Sequence, residues 1–320
     1  MKILVIRNDG IGDLILTLPA ISSIKRLYPD ASISILVSPY TKDILWNNKD
    51  IDEILVDDKG IFEASKMLSK AKFDIAFVFY PNWRNAFISF LAGIPERVGT
   101  GYKACGILFN KRRYIHRRNI HEADWCLKIA GLDDEIKPPE IFVKDRDLEY
   151  AKSLISGIPE PIIGIHPGGK GSALNWEEES YARLIEKIEE RYKTRVVITE
   201  GINDKTIVER IISKTKGNPL NLCGKTSLGE LIALISLFSI FIGPSTGPLH
   251  IAGCLGIKVI GLFPPIIKQS PKKWHPLGEN YSILTPDVLC KENKCKGLKC
   301  KEYNCMKRIK EGEILEKIAF

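Results

Sequence analysis

The sequence lacks a hydrophobic run long enough to cross a bilayer. Its longest apolar stretch covers residues 231–242 and is interrupted by Ser236 and Ser239, whereas a spanning helix needs about 20 apolar residues. The first residues also lack the cleavage pattern of a secretory signal, because a short strand-like run follows Lys2 directly. We therefore expect a protein of the cytoplasm.

The opening of the chain lacks the third glycine of a dinucleotide-binding fingerprint. Residues 2–7 read as a buried strand that enters a tight loop. Gly10 and Gly12 stand in this loop, but Ile15 occupies the third glycine position, so a nicotinamide-dependent enzyme is disfavoured. The loop instead places Asp13 near the start of a helix, where it is either a substrate-facing carboxylate or an N-cap.

Strand-like and helix-like segments alternate along the chain, which is typical of parallel sheets with crossover helices. The length of 320 residues exceeds the usual size of a single core, and 44% of the residues are hydrophobic. A turn rich in glycine and proline at residues 157–161 is the best domain boundary. The sequence therefore predicts two α/β domains, residues 1–157 and 158–320, the second with a cysteine-rich tail at 290–305.

Local signals predict where several elements begin. The strand candidates of the first domain are residues 2–7, 32–37, 53–56 and 74–79. Because of Pro19, the first regular helix either begins near Leu18 or is kinked early. In the second domain Asn175 is expected to cap a helix, and Ser227 with Glu230 forms a capping box.

The second domain places polar loops where a ligand would bind. After its first strand comes a glycine-rich loop with Gly168, Gly169 and one cation, Lys170. The loop that contains Asp204 should meet it at the carboxyl edge of the sheet, where open α/β sheets bind ligands. Asp204 either binds a ribose hydroxyl or belongs to a surface loop.

The stretch from Pro244 to His250 is the most informative part of the sequence. An apolar run ends at Pro244, and the small pair Thr246-Gly247 opens a helix that ends at Gly256. The first backbone N–H groups of a helix have no partner inside the helix and attract anions. A phosphate is the expected ligand; the alternative is that Ser, Thr and Gly act here only as cap and hinge.

Taken together, these motifs resemble one known family. The motifs that match in order and spacing are residues 9–20, 166–168, 171–176, 222–228, 243–250 and 260–264. The chain is similar to glycosyltransferase family 9, which contains the ADP-heptose:lipopolysaccharide heptosyltransferases. The resemblance implies two Rossmann-like domains facing across a cleft, a fold of the GT-B type. The first domain would bind the acceptor and the second the nucleotide sugar.

The resemblance implies an inverting glycosyltransferase that requires no cofactor for catalysis. An acceptor hydroxyl must lose a proton as it attacks the anomeric carbon, and Asp13 matches the general base proposed for the family. Backbone N–H groups at the 245–250 helix N-terminus, with Lys170 or His250, would stabilise the departing diphosphate without metal. Asp-x-Asp pairs, which mark metal-dependent sugar transfer in another fold, occur in charged surface segments at 50–52 and 145–147.

The donor site implied by the resemblance comprises Gly168, Gly169, Lys170, Asp204, Ser245, Thr246, Gly247 and His250. Ser245 departs from the family, because members commonly have Asp there and Ser offers a hydroxyl without charge. Leu174 also departs, because heptosyltransferases carry a Lys shortly before the residue matching Trp176; Lys170 or Lys225 would replace that charge. ADP-heptose is the predicted donor. The alternatives are the same chemistry with another nucleotide sugar, or a non-catalytic nucleotide-binding or assembly protein.

The expected acceptor is an anionic glycolipid of the lipopolysaccharide inner-core type. Gly12, Arg84 and Arg97 match the acceptor side of the family, and the basic run at 111–113 adds positive charge, although scattered cations are also typical of solvated surface. The net charge of +8 suits peripheral contact with the cytoplasmic face of the inner membrane. Nucleic acid is not an expected partner, and the protein should be a monomer.

The Lys-rich tail contains four regularly spaced cysteines, Cys290, Cys295, Cys300 and Cys305. Four thiols so close together predict a closed structural metal site, paired disulfides or an iron–sulfur site. Their spacing is wider than the Cys-x-x-Cys pairs of most zinc sites. We expect a structural role, with the kind of cross-link left open.

Overall fold

The computed structural model describes residues 1–169 and 174–318. The chain divides into two compact units, Met1–Phe142 and Val143–Phe320. Each unit is built around its own six-stranded sheet, in which all neighbouring strands are parallel. The α/β class with two Rossmann-like domains that the sequence predicts is therefore confirmed.

The first unit has the strand order of a dinucleotide-binding fold. Its strands are β1 (Lys2–Ile6), β2 (Ser32–Val37), β3 (Glu53–Val56), β4 (Ile75–Val78), β5 (Glu96–Thr100) and β6 (Lys111–Arg113). Its helices are α1 (Ile11–Ile15), α2 (Leu18–Leu27), α3 (Ile61–Ala71), α4 (Trp83–Leu91) and α5 (Glu122–Ala130). The sheet runs β3-β2-β1-β4-β5-β6. The chain thus returns to the middle of the sheet after β3, and ligands bind such sheets at that reversal.

Strand β1 shows why this sheet forms. Its residues from Ile3 to Ile6 are all buried, and Ile3 pairs with Ile33 of β2 on one side and Ile75 of β4 on the other. A parallel strand covered by helices on both faces needs such a continuous apolar run. The four strand candidates of the first domain are confirmed.

Proline and glycine set the bounds of two helices in this unit. Helix α1 ends before Pro19, which lies in the first turn of α2, so the regular helix begins at Leu18 rather than being kinked. Helix α5 ends at Gly131, whose φ of +82° is in the left-handed region that glycine adopts most readily.

The second unit repeats the same order. Its strands are β7 (Ile163–Ile165), β8 (Val197–Ile198), β9 (Leu220–Asn221), β10 (Ile240–Pro244), β11 (Lys258–Leu262) and β12 (Tyr281–Leu284). Its helices are α6 (Asp145–Leu154), α7 (Glu178–Tyr192), α8 (Lys205–Lys214), α9 (Leu228–Ser236), α10 (Gly247–Cys254), α11 (Pro271–Trp274) and α12 (Glu311–Lys317). The sheet runs β12-β11-β10-β7-β8-β9, so its reversal lies between β7 and β10.

Two details of the second unit differ from the expectations. Helix α6 packs against α9, so the unit begins at Val143, ahead of the turn at 157–161 that the sequence favours as the boundary. The expectation that Asn175 caps a helix is wrong, because α7 begins at Glu178. The buried ring of Trp176, whose Nε1 donates to the Ile309 carbonyl at 3.2 Å, holds the chain in the core before the helix starts. The capping box at the start of α9 is confirmed.

Candidate active site

Asp13 lies in α1, at the carboxyl edge of the first sheet. Arg7, which directly follows β1, is 1% exposed, and its Nη2 donates to Asp13 Oδ1 at 2.6 Å. The Asp13 side chain remains 29% exposed, so a substrate can reach it. A Cβ on Gly10 would lie 2.9 Å from Asp13 Oδ2, so a side chain at this position would displace the carboxylate. The carboxylate is therefore oriented by a buried cation and open to solvent.

The buried Arg7 is the centre of a group of charges, which we call the Arg7 cluster: Arg7, Asp9, Asp13, Arg117 and Glu122. Besides bonding Asp13, the guanidinium lies 3.0 Å from Asp9 Oδ1 and donates to the Phe79 carbonyl at 2.8 Å and to Glu122 Oε1 at 3.1 Å. Glu122 is fully buried and also accepts from Arg117, whose Nε is 2.9 Å from Oε2. The cluster thus holds three carboxylates against two guanidinium groups.

Burial, together with this excess of carboxylates, changes the protonation of Asp9. Burial raises the pKa of Asp9 to about 7, the Arg7 guanidinium opposes the rise, and the negative charges of Asp13 and Glu122 add to it. A buried carboxyl group beside Asp13 therefore changes charge near neutral pH.

The raised pKa of Asp9 predicts a loss of stability with rising pH. The pKa of Asp9 in the folded state lies above the ordinary 3.8, so the folded state binds one more proton than the unfolded state between pH 3.8 and about 7. The stability that Asp9 contributes is therefore lost as the pH rises through about 7. Asp9→Asn should flatten this part of the pH dependence, measured by urea unfolding across the interval. The exposed Asp30 provides the control Asp30→Asn, which should keep the wild-type slope. An unchanged slope in Asp9→Asn would contradict the assignment.

A second polar network lies at the same edge of the first sheet. Arg84 at the start of α4 forms a two-point ion pair with Asp57, which follows β3, and donates to the Lys59 carbonyl at 2.7 Å. The Asn8 amide also donates to Asp57 and exchanges hydrogen bonds with Asn85. Arg84 is therefore brought to the edge that carries Asp13, with its charge already paired.

Gly12 and Arg97 lie in different places relative to that edge. Gly12 precedes Asp13 within α1. Arg97 lies near the beginning of β5, at the opposite edge of the sheet, and donates to the carbonyls of Leu108 and Ile94. The structure therefore brings Gly12 and Arg84 together with Asp13, but not Arg97.

The corresponding edge of the second sheet is organised around His166, which follows β7. Its Nδ1 is 3.0 Å from Thr199 Oγ1, and its Nε2 is 3.1 Å from Glu200 Oε1, both in the loop after β8. Glu200 also accepts from the backbone N–H groups of Gly168 and Gly201. A Cβ on Gly168 would lie 2.3 Å from Glu200 Oε2. The glycine is thus required for a carboxylate to hold the loop.

Glu200 is ionised despite its burial. Burial opposes the charge, but hydrogen bonds and the charge of His166, with the N–H groups of Gly201 and Gly168, hold the pKa of Glu200 below its usual value. Stability from this group is therefore present above pH 4.5 and lost as the pH falls below it.

Replacing Glu200 with Gln should remove about 1.5–3 kcal/mol from the free energy of unfolding at neutral pH, the usual worth of hydrogen bonds to a charged group. The difference from wild type should shrink in acid, where wild-type Glu200 becomes protonated. Urea unfolding at neutral and at acid pH measures this difference in the free energy of unfolding. The control is Glu190→Gln, an exposed glutamate of α7, which should have no effect. A loss that stayed constant into acid would contradict the ionised state.

Strand β10, which leads into α10, meets the residue that follows β7 at the reversal of the second sheet. A Cβ on Gly243 of β10 would lie 2.9 Å from the His166 carbonyl, so β10 and the start of the loop after β7 are in close contact. Thr246 is the N-cap residue, and its side chain makes no capping hydrogen bond to the first turn. The first N–H groups, from Gly247 onward, are therefore not capped by that side chain. His250 is buried within α10, and Ser245 is partly exposed beside the cap.

The remaining donor-site predictions fall in three places. Lys170 lies outside the described residues, and Gly169 is the last described residue before that gap. Asp204 precedes α8, and its Oδ2 is buried without a hydrogen-bond partner within the part of the chain that the structure describes. The Leu174 side chain packs against the core of the second unit, and Lys225 is exposed.

The tail cysteines line one cavity of about 730 Å³. Cys290, Cys295, Cys300 and Cys305 are all free thiols. Burial raises the pKa of Cys305, and the proximity of the other three thiols raises it further. Within residues 1–169 and 174–318, no group of three or more His, Cys, Asp or Glu side chains is arranged to hold a metal ion.

Sequence patterns missed most partners of the predicted residues. Arg7 and Asp9 could have been recognised, because they are charged residues that follow a buried strand and precede Gly10. Glu122 has no such signal, because its position is that of an ordinary acidic residue in the first turn of α5. Thr199 and Glu200 directly follow β8, at the edge of the sheet that the sequence predicts as ligand-binding. Among the described residues, no helix is long and apolar enough to span a membrane.

These features define an α/β protein of two Rossmann-like domains with polar loops at both sheet reversals. Residues 61–304 match the family described as Glycosyltransferase family 9 (heptosyltransferase). The match covers more than half of the chain, so the chain belongs to glycosyltransferase family 9 and is a glycosyltransferase. The resemblance seen in the sequence is confirmed.

Named relatives and solved structures agree with this family. The chain is 24% identical over 329 residues to lipooligosaccharide heptosyltransferase 2 of Campylobacter jejuni, covering 99% of this chain and 97% of that protein. It is 27% identical over 278 residues to lipopolysaccharide heptosyltransferase 3 of Escherichia coli, covering 79% and 80%. A family 9 glycosyl transferase from Veillonella parvula superposes with a TM-score of 0.88 at 21% identity, covering 99% and 95%. The structure of E. coli ADP-heptose lps heptosyltransferase II superposes with a TM-score of 0.82 at 21% identity, covering 99% of this chain and 97% of that chain. The fold is therefore shared.

Proposed function

We propose that this protein is an inverting glycosyltransferase that transfers heptose from ADP-heptose to an acceptor of the lipopolysaccharide inner-core type. The observation that carries the proposal is the orientation of Asp13, a solvent-accessible carboxylate fixed by the buried Arg7 at the carboxyl edge of the first sheet. The names of the relatives support the sugar and the acceptor class.

In the proposed reaction Asp13 acts as general base. The acceptor hydroxyl gives its proton to the Asp13 carboxylate while its oxygen forms a bond to the anomeric carbon. The bond between that carbon and the diphosphate oxygen breaks on the opposite face, and the electron pair leaves with the nucleoside diphosphate. Arg7 keeps the carboxylate in one orientation through the hydrogen bond from its Nη2 to Asp13 Oδ1.

The second unit is proposed to bind the donor. Backbone N–H groups at the start of α10, including that of Gly247, would donate hydrogen bonds to the diphosphate and stabilise its charge as the bond breaks, without a metal ion. The loop with Gly168 and Gly169 would approach the same ligand, since it follows β7, the strand that lies beside β10, and α10 follows β10. Lys170, Ser245 and His250 remain proposed donor contacts, and Asp204 a proposed ribose contact. Its buried, unpartnered Oδ2 supports the ribose assignment.

The acceptor is proposed to be an anionic glycolipid that approaches Gly12 and Asp13. Arg84 would contribute positive charge there, although the ion pair with Asp57 reduces it. Arg97 lies at the opposite edge of the sheet, so any acceptor contact by it would involve a distant part of the molecule. Peripheral contact with the inner membrane, and action as a monomer, belong to the same proposal.

Calorimetric binding of ADP, UDP, GDP, CDP and dTDP, each with and without chelator, tests the donor. Selective ADP binding that survives the chelator supports the proposal. Preference for another base would favour the same chemistry with a different sugar, a possibility raised by Ser245 and Leu174. Absence of nucleotide binding would favour a non-catalytic assembly protein. Transfer from ADP-heptose with inversion at the anomeric carbon, followed by NMR, then tests the reaction.

The tail is proposed to be closed by its four thiols, through a metal ion or through disulfides. Their common cavity supports this proposal. We expect native protein purified without reductant to show fewer reactive tail thiols than four, and Cys295→Ser to lower the melting temperature. Elemental analysis distinguishes metal from disulfide. Cys223→Ser, outside the tail, is the control. Four freely reactive tail thiols would contradict the proposal.

A further inference from the structure

Helix α4 of the first unit exposes its large apolar side chains. Four of them are 38–50% exposed: Trp83, Phe87, Phe90 and Leu91. Their spacing of four, three and one residues places them on one side of the helix. The side that packs on the sheet carries smaller or polar residues among its buried positions: Asn85, Ala86, Ile88 and Ser89. A helix on the surface of a soluble domain normally shows the reverse arrangement.

A neighbouring 3-10 helix extends this apolar surface. The 3-10 helix covers Ala104–Leu108, packs beside α4 and leaves Ile107 69% exposed. We call the surface formed by Trp83, Phe87, Phe90, Leu91 and Ile107 the α4 face. A contiguous group of exposed apolar residues typically marks an interaction site, whereas single exposed apolar residues are ordinary on protein surfaces.

Cations whose charge is not paired border the α4 face. The Arg97 guanidinium lies 5.4 Å from the centre of the Phe90 ring, and Arg112 Nη2 donates to the Ile107 carbonyl at 3.0 Å. Lys103 Nζ donates to the Pro81 carbonyl, just before α4, at 2.9 Å. Within the described residues these three side chains bond carbonyl oxygens and form no ion pair with a carboxylate. Their positive charge is therefore available to an anionic partner.

The sequence concentrates charge of the same sign in this region. Residues 83–118 contain eight Lys or Arg and one acid, Glu96, in a protein with a net charge of +8. Aromatic and aliphatic side chains next to Lys and Arg are the composition that binds the interface of an anionic bilayer. The exposed apolar residues and the bordering cations of the α4 face therefore favour an anionic lipid surface as its partner.

We propose that the α4 face docks the protein on an anionic lipid bilayer. The inference deepens the proposed function, since a glycolipid acceptor lies in such a surface. The face also borders the edge that carries Asp13. Lys103 lies between the α4 face and this edge. It donates to the Pro81 carbonyl in the loop before α4, and its pKa, which burial lowers, is also influenced by the charges of Asp9 and Arg7. Docking through α4 would hold this edge near acceptor headgroups.

Flotation of the full chain with vesicles tests the proposal without donor or acceptor. Vesicles of equimolar phosphatidylcholine and phosphatidylglycerol should bind the protein, and vesicles of phosphatidylcholine alone should bind it more weakly. The double variant Phe87→Ser/Phe90→Ser should lower the partition coefficient roughly tenfold or more, because two large apolar side chains no longer enter the interface. Arg112→Gln should weaken binding only to the anionic vesicles, and added salt should do the same.

The control is Leu27→Ser, which removes an exposed apolar side chain from α2, a helix that packs with α5 rather than with α4. It should bind vesicles like the wild type. Circular dichroism melts verify that every variant is folded. Failure of the wild type to bind anionic vesicles, or equal binding by the phenylalanine variant, would overturn the proposal. A third outcome would also overturn it: the wild type forms a dimer and does not bind vesicles, and the phenylalanine variant is a monomer. The α4 face would then join two copies of the chain. Nucleotide calorimetry is independent of these outcomes, so failure of the proposed function would be recognised separately.

Discussion

Asp13→Asn should lower kcat by about 10²–10⁴-fold, the range that a positioned general base contributes. Asparagine retains a side-chain oxygen that can accept the hydrogen bond from Arg7, so the local structure should persist. It cannot take a proton from the acceptor hydroxyl. The affinity for ADP should stay nearly unchanged, because the proposed donor contacts all lie in the second unit. Steady-state transfer assays and nucleotide calorimetry measure the two quantities.

The chain offers a closely matched control for this variant. Asp124 is also a first-turn carboxylate of a helix in the first unit, and its side chain is 34% exposed against 29% for Asp13. Asp124 pairs with the surface Lys128, so Asp124→Asn should leave kcat unchanged. Normal turnover by Asp13→Asn would remove Asp13 as the base. A parallel loss of ADP affinity would indicate that the residue acts through donor binding instead.

Much of the fold is predictable because it depends on local pattern. Continuous apolar runs identify the parallel strands, as in β1, and Pro19 and Gly131 fix helix bounds through restrictions on their own backbone. The prediction at Asn175 failed for a different reason. Its cap depended on residue type alone, whereas the start of α7 is set by the burial of Trp176, which bonds a carbonyl 133 positions away.

The candidate site shows the same division. Asp13 was predictable because a glycine loop, a helix start and a carboxylate are neighbours in the sequence. The contact of Arg7 with Glu122 joins residues 115 positions apart, and no local pattern indicates it. Arg97 could have been placed from strand direction, since it stands at the beginning of β5 and the ligand edge lies at the strand ends.

Arg7→Met should lower the free energy of unfolding by about 3–5 kcal/mol, the usual cost of removing one partner from a buried ion pair. Methionine fills a similar volume, so the loss comes from charge rather than from a cavity. Without Arg7, the buried Asp9 loses its nearest cation, and Glu122 retains only Arg117. Urea unfolding at neutral pH measures the effect. A loss of this size is a large part of the stability of an ordinary domain.

Two further variants separate charge pairing from packing. Arg26→Met removes an exposed ion pair with Asp134 and should cost at most about 1 kcal/mol. Adding Asp9→Asn to Arg7→Met should recover about 1 kcal/mol or more, because the folded state then no longer has to keep the buried Asp9 protonated at neutral pH. If Arg7→Met were as mild as Arg26→Met, the Arg7 cluster would not hold its carboxylates by charge. If the second substitution gave no recovery, the loss would arise from packing, and the orientation of Asp13 would depend on the shape of the loop rather than on the guanidinium.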